Sequence, residues 1–215
     1  MAAKATRESM KLYAITDRAW LNGRTLHDVT EEVLAAGATF LQIREKELDD
    51  ETFLKEAKDL AELAKKYNVP FVVNDNIDIA LKCGADGVHV GQSDIVGKDV
   101  RAMIGADKIL GISANTVETA IKAEQSGADY IGVGAVFDTT TKKDAETISN
   151  AALREICAAV HIPVVAIGGI NEKNVLELRG SNIDGISVIS SIFAKELPGE
   201  ATKELLAKTE EMLKH

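Results

Sequence analysis

Gln42, Arg44 and Lys46 stand at i, i+2 and i+4 behind the apolar stretch Thr39-Phe40-Leu41. On an extended chain that spacing puts an amide, a guanidinium and an ammonium on one face at a strand's carboxyl end. Such a cluster calls for an anion; the plain alternative is a solvated strand end with surface charges. Similar polar groups end other apolar runs. Asn74 and Asp75 follow Phe71-Val72-Val73, Gln92 and Asp94 follow Val88-His89-Val90, and Ser113 follows Ile109 to Ile112. Further on come Asp138-Thr139-Thr140-Thr141-Lys142-Lys143, Gly168-Gly169-Ile170 and Ile189-Ser190-Ser191.

Two of these stretches suit phosphate. Gly168 and Gly169 let backbone N–H groups approach an anion, and Ile189-Ser190-Ser191 opens a short helix whose N-terminus carries free N–H groups. The alternative is that the glycines only make tight turns. Arg44, Lys46 and Lys142 supply cations, while Asp75 and Asp94 supply two carboxylates on adjacent loops. Two carboxylates completed by water and substrate phosphate are what Mg²⁺ prefers, which implies a second and more highly charged anion, a diphosphate. Either aspartate could instead cap the helix that follows it. His89 could serve as an acid or sit in the core, and burial habits favour the core.

The elements that must hold these groups alternate between strand and helix. Lys11–Thr16 reads as a strand, and a helix from Thr25 to Ala36 is closed by Gly37. Asp49-Asp50 opens a long helix to Tyr67, and Pro70 blocks its continuation. The phrase Cys83-Gly84-Ala85-Asp86-Gly87-Val88-His89-Val90-Gly91 returns as Ser126-Gly127-Ala128-Asp129-Tyr130-Ile131-Gly132-Val133-Gly134, with looser versions at 36–41 and 182–188. A repeated helix-to-strand joint points to a closed barrel. Strands beginning near Lys11, Phe40, Phe71, Gly87, Ile109, Tyr130, Val164 and Gly185 make the eight that a (β/α)₈ TIM barrel needs. An open doubly wound sheet is disfavoured because no Gly-rich dinucleotide turn follows the first strand.

Composition sets the bounds. The 215 residues suit one α/β domain, taken as 10–215 with residues 1–9 as a tail. Hydrophobic residues make up 46% and aromatics only 4%, so the core is expected to be aliphatic. A net charge of −9 argues against nucleic acid as a general partner. No apolar run is long enough to span a membrane, and residues 1–10 lack the apolar segment of a signal peptide. Cys83 and Cys157 lack metal-ligand spacing and read as buried thiols of a reducing, cytoplasmic protein. The sequence leaves room for a homo-oligomer without specifying one.

Taken together, LYAITD at 12–17, QIREK at 42–46, VNDN at 73–76, GVHVGQSD at 87–94, GISA at 111–114, TTTKK at 139–143, IGGI at 167–170 and VISS at 188–191 resemble the thiamine-phosphate synthase family. The resemblance implies a (β/α)₈ transferase that joins an aminopyrimidine diphosphate to a thiazole phosphate, both small-molecule substrates, and releases diphosphate by a Mg²⁺-assisted dissociative substitution. It implies that the segment Gln42, Ile43, Arg44, Glu45 and Lys46, with Asn74, Ser113 and Lys142, meets the diphosphate substrate, and that Asp75 and Asp94 hold Mg²⁺. It also implies that Thr139, Thr140, Thr141, Gly169, Ile189 and Ser190 hold the thiazole phosphate, with Arg44, Lys46, Ser113 and Lys142 as catalytic groups. The chain departs from the family at Asp138, where proline is common, and at Ile95-Val96-Gly97. A thiazole tautomerase, a sugar-phosphate isomerase or a non-catalytic barrel would be a rival reading. None of these would need the whole diphosphate and magnesium set. The Thr- and Lys-rich loop at 138–145 is a candidate lid.

Overall fold

A computed structural model describes residues 4–92, 99–138 and 147–214. Eight strands, β1 (Leu12–Ile15), β2 (Phe40–Ile43), β3 (Phe71–Asn74), β4 (Gly87–Val90), β5 (Ile109–Ser113), β6 (Tyr130–Gly134), β7 (Val164–Ile167) and β8 (Gly185–Val188), pair in parallel and close into a barrel. Seven of them begin on the residue expected from sequence and β1 begins one later. The helices are α1 (Leu26–Ala35), α2 (Asp50–Lys66), α3 (Ile77–Cys83), α4 (Val100–Ile104), α5 (Val117–Gln125), α6 (Asn150–Ala159), α7 (Ser190–Phe193) and α8 (Pro198–Met212). Thr25 and Asp49 cap α1 and α2 by accepting from backbone N–H groups of the first turn. Between β7 and β8 the helix is reduced to one 3-10 turn, Val175–Leu178, and α8 packs against it. No described helix is long and apolar enough to cross a membrane.

Period-2 alternation sorts the strand residues into two cores. Leu41, Ile43, Val73, Val88, Ile112, Ile131 and Val133 face outward into an aliphatic layer under the helices. Met10, Tyr13, Ile15, Phe40, Val72, Ile109, Tyr130 and Val165 fill the barrel interior. The aliphatic expectation therefore holds for the outer layer, while Tyr13, Phe40 and Tyr130 gather inside with ring centroids 4.6–5.8 Å apart.

The repeated phrase has a structural reason. Asp86, which precedes β4, accepts from Phe71 N at the start of β3 (2.9 Å); Asp129, before β6, accepts from Leu110 N of β5 (2.7 Å); Asp184, before β8, accepts from Val164 N of β7 (2.9 Å). Thr39, before β2, does the same for Leu12 N of β1 (2.9 Å). One side-chain acceptor thus ties each even strand to the odd strand before it, satisfying a backbone donor at the barrel's amino-terminal end. The glycine after Asp86 is required by closeness: a Cβ on Gly87 would lie 1.9 Å from Ile109 O. Arg7, from the segment set aside as a tail, reaches Asp184 at 2.6 Å.

Asp184→Ala strips the partner from Val164 N and Arg7 together. An unfolding free energy lower by about 1–3 kcal/mol is expected, read by denaturant titration.

Candidate functional site

The same alternation that builds the interior delivers the site. Inward positions continue upward from the filled layer to the strands' carboxyl ends, where a cavity of about 800 Å³ opens. Gln42, Arg44 and Lys46 from β2 and its loop line it, as do Asn74 and Asp75 after β3 and Ser113 at the end of β5. Gly168 and Gly169 after β7, with Ile189 and Ser190 after β8, close the opposite side.

Ile43 and Glu45 do not share this face. Ile43 is fully buried in the outer aliphatic layer. The Glu45 side chain is only 4% exposed and pairs with Arg18 Nε at 3.0 Å, and Arg18 also binds Glu56 of α2 at 2.5 Å. Residues at i+1 and i+3 of a strand point away from those at i, i+2 and i+4. The Glu45–Arg18–Glu56 chain therefore braces the loop from behind. Arg44 N is held from the other side by Thr16 Oγ1 at 3.1 Å. Arg44 and Lys46 both line the cavity, and no ion pair joins either to a described residue.

Asp75 is not a helix cap. Asn76 takes that role for α3, accepting from Ile79 N at 3.0 Å. Asp75 has φ +60, its N–H donates to His89 O at 2.8 Å, and its carboxylate accepts from Asn74 Nδ2 at 2.5 Å. A non-glycine residue with positive φ costs about 1 kcal/mol or more, a strain that clusters at functional sites. Asp94, Thr139, Thr140, Thr141 and Lys142 lie outside the described residues. The cap of α4 is Asp99, which accepts from Ala102 N at 2.9 Å.

On the far side, Gly168 and Gly169 have φ +99 and +68. A Cβ on Gly169 would meet Asp138 O at 2.4 Å, so the turn is tight as well as open to the cavity. No side chain caps α7, and its first residue Ser190 lines the cavity. Ser191 Oγ donates to Ile170 O, tying the two loops together. An uncapped helix start thus lies beside two positive-φ glycines at the cavity, the kind of place where this fold commonly receives a phosphate.

Sequence reasoning missed the floor. Tyr13 lines the cavity from below, His89 lines it while bonding Tyr130 OH (2.9 Å) and Ser113 Oγ (3.1 Å), and Asn115 and Asn171 join the rim. His89 is thus neither a plain core histidine nor a free acid. Its ring has room because β5 offers glycine below it: a Cβ on Gly111 would lie 2.5 Å from His89 Nδ1. Burial pushes both phenols well above the usual tyrosine range, so Tyr13 and Tyr130 stay protonated. Ser187 is 2% exposed and its hydroxyl, which has no hydrogen-bond partner among the described residues, also borders the cavity. The signal for these was the inward parity of the strands, read from Gln42 and carried through each registered partner.

The sequence profile of the thiamine monophosphate synthase family matches residues 12–192. The chain is 53% identical over 194 residues to the thiamine-phosphate synthase of Clostridium tetani, covering 90% of this chain and 93% of that protein. It is 47% identical to the thiamine-phosphate synthase of Methanobrevibacter smithii, covering 92% and 94% of the two chains. Among solved structures, thiamine phosphate pyrophosphorylase from Pyrococcus furiosus superposes with a TM-score of 0.88 at 40% identity, covering 97% of this chain and 99% of that one. By its sequence profile, its relatives and its barrel, the chain belongs to the thiamine monophosphate synthase family.

Proposed function

We propose that the cavity joins 4-amino-2-methyl-5-(diphosphooxymethyl)pyrimidine to 4-methyl-5-(2-phosphooxyethyl)thiazole, or its carboxylated form, giving thiamine phosphate and diphosphate. The observation that carries this reading is the pairing of two anion-receptive walls across one cavity. Arg44 and Lys46 stand unpaired among the described residues on one side, and Gly168, Gly169 and uncapped α7 stand on the other. A sugar-phosphate isomerase would need only the second wall.

The chain's own groups then have distinct work. Arg44 and Lys46, with Lys142, hold the diphosphate and take up the charge that grows on it as the bond to the methylene carbon breaks. Gln42, Asn74 and Ser113 orient the pyrimidine, whose ring nitrogens and amine carry the positive charge left behind. The α7 start and the β7 loop fix the thiazole by its phosphate, so that its ring nitrogen faces the methylene carbon and forms the new C–N bond. Holding two reactants in one geometry is the main contribution, and no covalent enzyme nucleophile is required.

Asp75 and Asp94 are the groups that would hold Mg²⁺. The fit is good at the one that is described: the Asp75 carboxylate borders the cavity and caps no helix. Mg²⁺ keeps several waters and would take its remaining ligands from a substrate phosphate, so two carboxylates suffice to hold it. Bound there, the cation neutralises diphosphate charge. Of the two thiols expected to be buried, Cys83 is buried and Cys157 only partly so, and burial pushes Cys157 up to about 12.

The two-wall reading is tested by calorimetry with inorganic diphosphate (in Mg²⁺) and the thiazole phosphate. Each should bind with the other present, one of each per chain. Mutual exclusion at a single site would contradict the reading and favour the isomerase class.

A further inference from the structure

A hydrogen-bond chain crosses the barrel beneath the cavity and joins two of its walls. Gln42 Nε2 donates to Tyr13 OH. Tyr13 OH lies 2.8 Å from Tyr130 OH, Tyr130 OH lies 2.9 Å from His89 Nδ1, and His89 Nε2 lies 3.1 Å from Ser113 Oγ. The five residues come from β2, β1, β6, β4 and β5, and both ends of the chain, Gln42 and Ser113, line the cavity.

The direction of the protons follows from counting them. A phenol has one proton. The Tyr13 oxygen already receives an N–H from Gln42, so its own proton goes to Tyr130, its other partner. The Tyr130 oxygen receives that proton, so it donates to His89 Nδ1. An imidazole that accepts at Nδ1 carries its proton on Nε2 and donates it to Ser113 Oγ. Ser113 is then an acceptor toward the protein, and its hydroxyl proton is left for the cavity. At the other end, turning Nε2 of Gln42 down to Tyr13 leaves Oε1 as that residue's acceptor, and no described group donates to it. If the Gln42 amide were reversed, every bond in the chain would reverse with it.

We propose that Tyr13, Tyr130 and His89 are positioning residues that fix the polarity with which Gln42 and Ser113 read the pyrimidine: an acceptor from Gln42 and a donor from Ser113. This rests on the aminopyrimidine reading of the same site. A 4-aminopyrimidine offers the complement, an amine N–H and a ring-nitrogen lone pair. The corresponding 4-oxo ring offers a carbonyl in place of the amine and an N–H on the adjacent ring nitrogen, so it is mismatched at both readers. A buried polar group left without its partner is what makes such discrimination large. Breaking the chain in the middle frees the His89 tautomer and the Gln42 amide to choose independently, and the discrimination should fall.

The test has two arms on the full-length protein. In the first, ¹⁵N-histidine NMR of the wild type, with the His89 signals assigned by their loss in His89→Asn, reads the tautomer. A neutral ring protonated at Nε2 is expected, and a ring protonated at Nδ1 overturns the proposal. In the second, kcat/KM is measured for the 4-amino and 4-oxo pyrimidine diphosphates in wild type, Tyr13→Phe and Tyr130→Phe, with melting curves to confirm folding. The ratio of the two values should drop about tenfold or more in both variants, with Tyr130→Phe also giving mixed His89 tautomers. Unchanged ratios in folded variants overturn the proposal while the proposed function stands. An inactive wild type with the expected Nε2–H tautomer would instead count against the proposed function alone, because the tautomer is read without substrate.

Discussion

Arg44→Ala is expected to lower single-turnover diphosphate release about 10²–10³-fold while leaving the unfolding midpoint within about 0.5 kcal/mol of wild type. The two halves of this expectation have separate sources. The side chain borders the cavity and makes no ion pair with a described residue, so its removal leaves none of the described charges without a partner. The backbone N–H of residue 44, held by Thr16 Oγ1, survives the change. What is lost is a fixed positive charge at the place where a leaving diphosphate gains negative charge, in a cavity where screening is weaker than in bulk water. Lys at this position would keep the charge but not the bidentate fork, so Arg44→Lys should fall between the two. A fall in stability equal to the fall in rate would instead mark Arg44 as a structural residue.

The second large effect is at Asp75. Its φ of +60 is a conformation that asparagine tolerates and most residues do not, so Asp75→Asn removes the charge and keeps the turn. Turnover at fixed low Mg²⁺ should fall at least about 10²-fold, and the Mg²⁺ concentration for half-maximal rate should rise more than about tenfold, because a hard cation loses one of few protein carboxylates. Asp75→Ala adds backbone strain to the same loss and should also reduce stability, by about 1 kcal/mol. The pair therefore separates charge from conformation. An unchanged Mg²⁺ dependence in Asp75→Asn would remove this residue from the metal site.

Much of this was legible in the sequence, for reasons that can be named. The even strands could be placed because the joint before each carries a left-handed Gly or Asn turn followed by an Asp or Thr that later proves to hold a backbone N–H of the preceding odd strand. The spacing of Gln42, Arg44 and Lys46 gave the correct face because parity in a strand is a local property. The same parity excludes the side chains of Ile43 and Glu45 from that face, although the whole segment 42–46 resembles the family's substrate-binding stretch; any contact these two make with a ligand is through the backbone. The alternative that Asp75 caps a helix could not be settled in advance, since Asp75 and Asn76 are both good caps and only the fold shows Asn76 in the role.

What stayed hidden was non-local. Tyr13 and Tyr130 are 117 residues apart, and each sits in a strand that reads as ordinary apolar core. Their meeting depends on closure of the barrel and on glycine at position 111, which no local pattern announces. The choice between an acid and a core histidine at His89 stayed open for the same reason, because burial habits describe a residue type and not the partners waiting across the sheet. The short 3-10 connection after β7 was also unforeseen; Val175 and Leu178 are fully buried, and Asn174 caps no helix but bonds back to Asn171 N and Gly169 O in the β7 loop.

The central claim, that one cavity brings a pyrimidine diphosphate and a thiazole phosphate together for substitution, is tested most directly by turnover of the purified protein. The two substrates and Mg²⁺ are supplied, and thiamine phosphate and diphosphate are followed together, with and without EDTA. The account predicts both products in equal amounts and the loss of both on chelation. Diphosphate without thiamine phosphate, or neither product from a folded sample, would contradict it.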